Sequence, residues 1–151
     1  MTKYECMDTT GHPTLTIREL RPDELHRTLA LLAAFYPSLT KEVLLSRLEA
    51  IAVLNWRCVG VFEGPDLVGL SGYWLNTRIY CGKYLYIDHF IVEGGRRCRG
   101  VGAQLLDYLK TLARDQGCEH VCLDTFVSNS LAQSFWSRHG FGIVGFHYVA
   151  K

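Results

Sequence analysis

The stretch RRCRGVGAQLL, residues 96–106, sets two glycines and several arginines directly before a helical pattern. A glycine loop between a strand and a helix presents free backbone N–H groups and the positive end of the helix dipole to a phosphate. Gly100 and Gly102 allow a ligand close to the main chain, and Arg97 and Arg99 add charge at its edge. The loop therefore predicts a diphosphate site, although a plain tight turn with solvated arginines would use the same residues.

Two common phosphate loops do not fit this stretch. The nucleoside-triphosphatase pattern G-x-x-x-x-G-K-[ST] is absent, and no lysine or hydroxyl follows the second glycine to hold magnesium. The dinucleotide fingerprint needs a third glycine, but Ala103, Gln104 and Leu105 follow Gly102. The loop therefore belongs to another class.

The residues on either side of the loop predict a mixed α/β chain. Upstream, RCVGVFE, LVGLSGYWL and KYLYIDHFIV are separated by short turns, which predicts an antiparallel meander. Downstream we expect a helix over residues 101–116, a strand HVCLDTF, a short helix ending at Gly140 and a last strand FGIVGFHYV. Before the meander, LTIREL predicts a strand, and helices are expected over residues 21–36 and after the capping residue Thr40.

Length and charge narrow the function. The 151 residues, 48% of them hydrophobic, suit a single domain over residues 15–151 behind a poorly ordered lead-in, residues 1–14. A net charge of +1 gives no general attraction to nucleic acid or to an anionic membrane. With no apolar run of ~20 residues and no signal-peptide pattern, we expect a soluble, cytoplasmic protein.

The six cysteines are scattered and form no C-x-x-C pair, so we expect reduced thiols. Cys118, His120 and Cys122 alternate on a predicted strand and would share one face. A metal site there would lack a fourth ligand and a supporting shell, so the sequence predicts none.

A family resemblance rests on the loop and on a second motif behind it. Arg97-Cys98-Arg99-Gly100-Val101-Gly102 resembles the R/Q-x-x-G-x-G/A motif of the GNAT superfamily of N-acetyltransferases. Asn129, Ala132 and Gly140-Phe141 resemble the N-x-x-A…G-F helix of the same family. The resemblance, which the order of elements shares, implies an α/β (α+β) fold with a mixed, mostly antiparallel central sheet flanked by about four helices.

The same resemblance implies acetyl-CoA as co-substrate and no metal. The main chain of Phe90, Ile91 and Val92 would pair with the pantetheine arm like an added strand. Asn129 and Ala132 would approach the coenzyme from the other side. The residues expected to hold the pyrophosphate are Arg97, Cys98, Arg99, Gly100, Val101, Gly102 and Ala103.

Two neighbouring residues compete as the catalytic base. A primary amine has a pKa near ~10.4 and must lose a proton before it attacks a thioester. Asp88 stands where the polyamine-type enzymes of the family carry an acid, and would take that proton, directly or through water, or hold the cation. His89, with an unperturbed pKa of ~6.5, suits the role better. On a regular strand it would point away from Asp88, unless a bulge intervenes.

Trp136 departs from the family pattern Y-x-x-x-G-F, in which tyrosine is the general acid for the departing thiolate. An indole N–H donates a hydrogen bond but gives up no proton at useful pH. Ser134, Tyr148 or water would have to replace it. Trp136 would then pack against the pantetheine arm, close the acceptor pocket, or serve as a core aromatic.

The acceptor remains open at this level. GKYLYIDHFIVEGGRRCRGVG, about twenty residues, is similar to polyamine (diamine) and thialysine acetyltransferases, which favours a small-molecule amine. A protein N-terminus or lysine is the rival acceptor, and a non-catalytic acyl-CoA-binding module is the rival function. Unpaired strand edges would permit a homodimer.

Overall fold

A six-stranded sheet follows the chain in order from one edge to the other. The structure is a computed structural model that describes residues 4–5, 14–97 and 99–151. Each strand is antiparallel to its neighbour except the last two, β5 and β6, which are parallel. The strands are β1 (Tyr4–Glu5), β2 (Leu15–Glu19), β3 (Trp56–Glu63), β4 (Asp66–Arg78), β5 (Gly82–Val92) and β6 (His120–Leu123). The predicted meander and mixed sheet are confirmed.

Four α-helices flank the sheet in the described residues: α1 (Leu29–Phe35), α2 (Lys41–Ala52), α3 (Val101–Asp115) and α4 (Ser130–Arg138). As expected, the Thr40 hydroxyl caps α2 by accepting from the N–H of Val43 at 3.3 Å. The helix expected over residues 21–36 is instead a 3₁₀ segment, Pro22–Thr28, followed by α1. At the start of this segment, Glu24 accepts from the backbone N–H of Arg21 and from the guanidinium of Arg18. The spacing of apolar residues in the sequence does not predict such hydrogen bonds.

Apolar side chains cover both faces of the sheet. One cluster lies under α3 and α4 and includes Val59, Leu85 and Leu105. The other lies under α1 and α2 and includes Leu44, Trp56 and Ile91. The sheet is therefore buried between two helical layers.

The two ends of the chain differ from the expectations. Residues 141–151 form no regular secondary structure, so the predicted last strand FGIVGFHYV is wrong. In the described chain no backbone hydrogen bond reaches residues 142–151, and Val144 is 98% exposed. Alternating apolar residues favour a strand, but a strand needs a partner. At the other end, β1 pairs with β2, while the rest of the expected lead-in, residues 1–3 and 6–13, lies outside the described residues.

No helix among the described residues has both the length and the apolar character needed to span a bilayer.

Candidate active site

A bulge interrupts β5 at the residues expected to be catalytic. Leu70 pairs with Ile91 and Gly72 with Asp88, so two steps along β4 match three along β5. His89, inside the bulge, has φ +53° and is the only described non-glycine residue with a positive φ. The extra residue reverses the alternation of the strand: Leu85 belongs to the cluster under α3, whereas Ile91 belongs to the one under α1 and α2.

The bulge brings Asp88 and His89 together, although regular alternation would separate them. His89 Nε2 lies 3.2 Å from Asp88 Oδ2, and Trp74 Nε1 donates to the same oxygen at 3.1 Å. Burial alone would raise the pKa of Asp88, but the hydrogen bond and charge of His89 and the bond from Trp74 outweigh it and lower that pKa. Asp88 is therefore ionised at neutral pH.

Tyr36 completes this group from the end of α1. Its hydroxyl lies 2.8 Å from His89 Nδ1. Burial, and then the negative charge of Asp88, raise the pKa of Tyr36, so the phenol keeps its proton. In this geometry the Tyr36 hydroxyl can donate to Nδ1 of His89, and Nε2 of His89 can donate to Asp88.

Sequence reasoning missed Tyr36 as a functional residue. It lies 53 residues from His89 in the chain, and the sequence placed it only at the end of the helix expected over residues 21–36. The one local signal is a hydroxyl-bearing aromatic next to the helix-ending Pro37, and that signal does not name a partner.

A cavity of about 200 Å³ opens beside these groups. Tyr36 and His89 contribute to its wall, and among the described residues Arg47 is the one formally charged residue that lines it. The remaining lining is mostly apolar and comes from α1, α2, β3 and β4: Leu32, Leu44, Leu48, Ile51, Trp56 and Leu70.

The bulged half of β5 has a free edge on the side away from β4. β6 pairs only with Tyr84, Leu85, Tyr86 and Ile87 and ends there. Residues 88–92 consequently have no strand partner on that side in the described chain. Phe90, Ile91 and Val92 thus lie along an edge that an extended ligand can extend by backbone hydrogen bonding.

The arginines of the glycine loop fall into two kinds. Arg96 forms ion pairs with Glu63 and, at 3.6 Å, with Glu93. Arg97 and Arg99 are exposed and have no ion-pair partner among the described residues, although Arg97 Nε donates to the carbonyl of Val92 at 3.3 Å. Arg96 is tied to the fold, whereas Arg97 and Arg99 keep their charge available for an anion.

The two glycines also have different roles in the fold. Gly100 precedes α3 with φ +77° and has open space around it, which suits an approaching ligand. A Cβ on Gly102 would lie 3.4 Å from the ring of Phe135, which is ordinary van der Waals contact, so Gly102 lies at the packed contact between α3 and α4 rather than in open space. Val101 is buried and Ala103 half-buried behind them, and Cys98 lies outside the described residues.

The second motif caps α4. The side-chain oxygen of Asn129 accepts from the N–H of Ala132 at 3.0 Å, so N-x-x-A has a structural role at the helix start. Their contact with a coenzyme stays a prediction.

Trp136 packs in the core and is only 8% exposed. Its ring centroid lies 4.9 Å from that of Phe90 and 5.4 Å from that of Phe141. This position fits the interpretation of Trp136 as a core aromatic residue, whose ring packs against that of Phe90. Ser134 and Tyr148, the expected substitutes for the general acid, are both exposed.

The described residues contain no group of three or more His, Cys, Asp or Glu side chains able to hold a metal. Cys118 and Cys122 are free thiols, and His120 Nδ1 instead contacts the carbonyl of Cys81 at 2.8 Å.

Comparison with known proteins points to one family. Residues 25–141 match the model of the "Acetyltransferase (GNAT) family". Among solved structures, the fold is similar to that of the aminoglycoside N-acetyltransferase AAC(6')-Iy in complex with CoA (TM-score 0.80, 17% identity, covering 96% of this chain and 98% of that one). It is also similar to a ribosomal-protein-alanine N-acetyltransferase from Brucella melitensis biovar Abortus 2308 (TM-score 0.78, 17% identity, 91% and 98% covered). A third is glucosamine-6-phosphate N-acetyltransferase from Arabidopsis thaliana (TM-score 0.68, 20% identity, 91% and 98% covered).

Proposed function

Since the chain belongs to the GNAT family of acetyltransferases, we propose that it transfers the acetyl group of acetyl-CoA to a primary amine of a small molecule. The observation that carries the proposal is the bulged half of β5, Asp88 to Val92. This segment contributes Asp88 and His89 to an acid–base group that Tyr36 completes. It also provides a free strand edge to which an extended ligand can bind.

The chain offers partners for the pantetheine arm and for the pyrophosphate of acetyl-CoA, which would supply an activated acetyl thioester. The main chain of Phe90, Ile91 and Val92, whose edge away from β4 has no strand partner in the described chain, would hold the pantetheine arm. The N–H groups that begin α3 after Gly100 would hold the pyrophosphate together with Arg97 and Arg99, which have no ion-pair partner among the described residues.

The acid–base group offers a route for the proton of the acceptor. As an ammonium ion gives its proton to the Tyr36 oxygen, the phenolic proton moves to Nδ1 of His89, so Tyr36 has no net change. The imidazolium formed donates from Nε2 to ionised Asp88, which stabilises its charge. The amine nitrogen then has the free electron pair needed for attack.

The departing thiolate does not require a tyrosine at position 136. A thiol pKa near ~8.5 makes the thiolate a tolerable leaving group unaided. Trp136 then acts through packing behind Phe90.

The size of the cavity favours a small acceptor. Its ~200 Å³ is below the roughly 300–1,000 Å³ of sites for drug-sized ligands. The resemblance of the β5–loop segment to polyamine and thialysine acetyltransferases points the same way. The similar structures are named for varied acceptors, an aminoglycoside, a ribosomal-protein alanine and glucosamine 6-phosphate, and therefore select none.

The test measures release of CoA thiol from acetyl-CoA at mildly alkaline pH. Separate pools contain small primary amines, amino acids, aminoglycosides, and lysine or N-terminal peptides. Release with a small-amine pool supports the proposal, whereas release with peptides alone replaces it with protein acetylation. Silence in every pool, together with a tryptophan-fluorescence change on adding acetyl-CoA, would replace it with a non-catalytic binding module.

The coenzyme loop is tested with matched arginine variants. Arg97→Ala is expected to raise the Kd for CoA about tenfold, since it removes a charge-assisted contact of roughly 1.4 kcal/mol. Arg96→Ala, which breaks ion pairs within the fold, is expected to lower the free energy of unfolding instead. Equal effects on the Kd for CoA would contradict this division.

We also propose that two copies form a homodimer through the C-terminal segment, residues 142–149. This segment exposes apolar side chains beside β6, whose outer edge has no strand partner among the described residues. His147 Nδ1 contacts Asp124 Oδ2 at 2.7 Å, which keeps the segment near the end of β6. A second copy would cover side chains that otherwise remain in water.

Light scattering after size exclusion tests the dimer. The chain is expected to have twice the monomer mass, and Phe146→Asp should return it to monomer mass. Ile79→Asp, at a fully exposed apolar residue in the turn after β4, is the control. A monomeric parent chain would refute the dimer.

A cytoplasmic location stays a prediction of the sequence.

A further inference from the structure

We infer that the acceptor is a primary amine with one apolar body and no second positive charge, and that the cavity beside His89 holds this body. This inference rests on the proposed function and adds the chemical class of the acceptor. It is carried by the residues that line the cavity between α1, α2 and the sheet.

The wall of the cavity is formed by core side chains. Leu44, Leu48, Trp56 and Leu70 are each no more than 6% exposed, and all four line the cavity. They also belong to a single apolar cluster. An alkyl or aryl group bound there would leave water for an apolar surface, which is favourable in proportion to the area buried.

Most polar side chains of the wall either form hydrogen bonds within the protein or belong to the acid–base group of Tyr36, His89 and Asp88. The Thr28 hydroxyl donates to the carbonyl of Leu25 at 2.6 Å, and the Cys58 thiol to that of Val59 at 3.8 Å. These two are satisfied within the protein. Tyr36 and His89 are hydrogen-bonded to each other. Among the described lining residues, the one other uncharged polar group is the indole N–H of Trp56, which is buried without a hydrogen-bond partner and can only donate, so it cannot accept from an ammonium ion. An amine with an apolar body therefore has one orientation in which its nitrogen meets a polar partner.

Charge excludes a polycation from this cavity. No carboxylate is among its lining residues, all of which lie in the described chain, and the exposed Arg47 is its one formally charged side chain. A second ammonium group would lose water without gaining an opposite charge, and would face a guanidinium group of like charge. Spermidine-like and aminoglycoside acceptors are therefore disfavoured, although the β5–loop segment resembles polyamine enzymes.

Matched acceptors test the inference on the unmodified protein. We would compare kcat/KM for propylamine, butylamine, pentylamine and 2-phenylethylamine with that for 1,5-diaminopentane. Each added methylene is expected to raise kcat/KM about fourfold, the ratio that corresponds to ~0.8 kcal/mol per buried methylene. The kcat/KM for pentylamine should be at least tenfold higher than that for 1,5-diaminopentane, which has the same carbon chain length. Equal values, or a preference for the diamine, would overturn the inference.

A charge variant tests the location. Ile51→Asp places a carboxylate in the lining at a half-buried position, where folding tolerates it better than at Leu48. It should shift the preference toward 1,5-diaminopentane by about tenfold. Leu45→Asp is the matched control, because Leu45 lies on the same helix, is 37% exposed and does not line the cavity. A shift of equal size in both variants would show that the cavity does not select the acceptor.

Calorimetric binding of pentylamine and 1,5-diaminopentane, without acetyl-CoA, separates this inference from the proposed function. Tighter binding of pentylamine, weakened by Ile51→Asp and not by Leu45→Asp, would support the apolar site even if no amine were acetylated. Acetyl transfer with no difference between the two amines would leave the function standing and refute the site.

Discussion

The two halves of β5 differ in pairing, in packing and in chemistry. Residues 84–87 pair with β4 on one side and β6 on the other, and Leu85 is fully buried. Residues 88–92 are bulged, lack a partner on the β6 side, and carry the only described positive φ outside glycine. The regular half holds the sheet to α3, while the irregular half presents side chains and main chain to ligands. In this protein, the proposed chemistry begins where regular pairing ends.

The largest expected effect comes from His89 in the irregular half. His89→Ala should lower kcat/KM by about 10²–10⁴, the usual contribution of a general base, with little change in the free energy of unfolding. Steady-state kinetics and urea unfolding measure the two quantities. His120→Ala is the control, since His120 pairs in register beside the regular half. A loss below threefold for His89→Ala would remove His89 from the mechanism.

The regular half should respond in the opposite way. Leu85→Ala removes a fully buried side chain and should lower the free energy of unfolding by about 2–5 kcal/mol. The activity of each folded molecule should remain unchanged, because Leu85 faces the cluster under α3, away from the cavity. Urea unfolding followed by kinetics at low temperature checks both parts. A fall in kcat under conditions in which the variant is fully folded would argue against this division between the two halves of β5.

A smaller effect is expected for the hydroxyl group that bonds to the irregular half. Tyr36→Phe should lower kcat about tenfold and leave KM within threefold, because the ring still lines the cavity while the proton route through the hydroxyl is lost. Tyr86→Phe is the matched control, since the Tyr86 hydroxyl interacts with Asp124 beside the regular half. Equal losses of kcat in the two variants would argue against a proton route through Tyr36.

The smallest effect concerns the stability contributed by Asp88. Its folded-state pKa is lowered, so its ionised form stabilises the fold above the ordinary value of ~3.9, and this contribution is lost as pH falls through the folded pKa. Asp88→Asn should therefore cost on the order of 1 kcal/mol at pH 7, and less below about pH 4. Urea unfolding at several pH values measures the difference. A difference that grows toward low pH would reverse the assigned direction.

The sequence predicted much of this arrangement through local signals. Short turns between β-rich stretches gave the meander, and Gly100 with an apolar helical stripe gave the loop and α3. The motifs around Arg97 and Asn129 predicted the family, which the family match confirms. Each of these signals lies within a few residues of the structure that it predicts.

The failures arose where distant residues decide. The predicted C-terminal strand finds no backbone hydrogen-bonding partner in the described chain, and the expected first helix is a 3₁₀ segment followed by α1. The expected contact of Trp136 with the coenzyme stays a prediction, as does closure of the acceptor pocket, whereas its packing against Phe90 became visible only in the tertiary structure. A local sequence pattern indicates which secondary structure a segment favours. Strand pairing and side-chain packing with distant residues decide whether the segment adopts it.

By itself, the sequence determined the order of the meander, the glycine loop before α3 and the family, because hydrophobic period, turn residues and motif spacing act over short distances. Only the tertiary structure decided that Asp88 and His89 meet, that Tyr36 joins them across 53 residues, and that their neighbours form an apolar cavity. The physical reason is the bulge: one unpaired residue reverses which face of the strand each following side chain occupies, and its position depends on the register with β4.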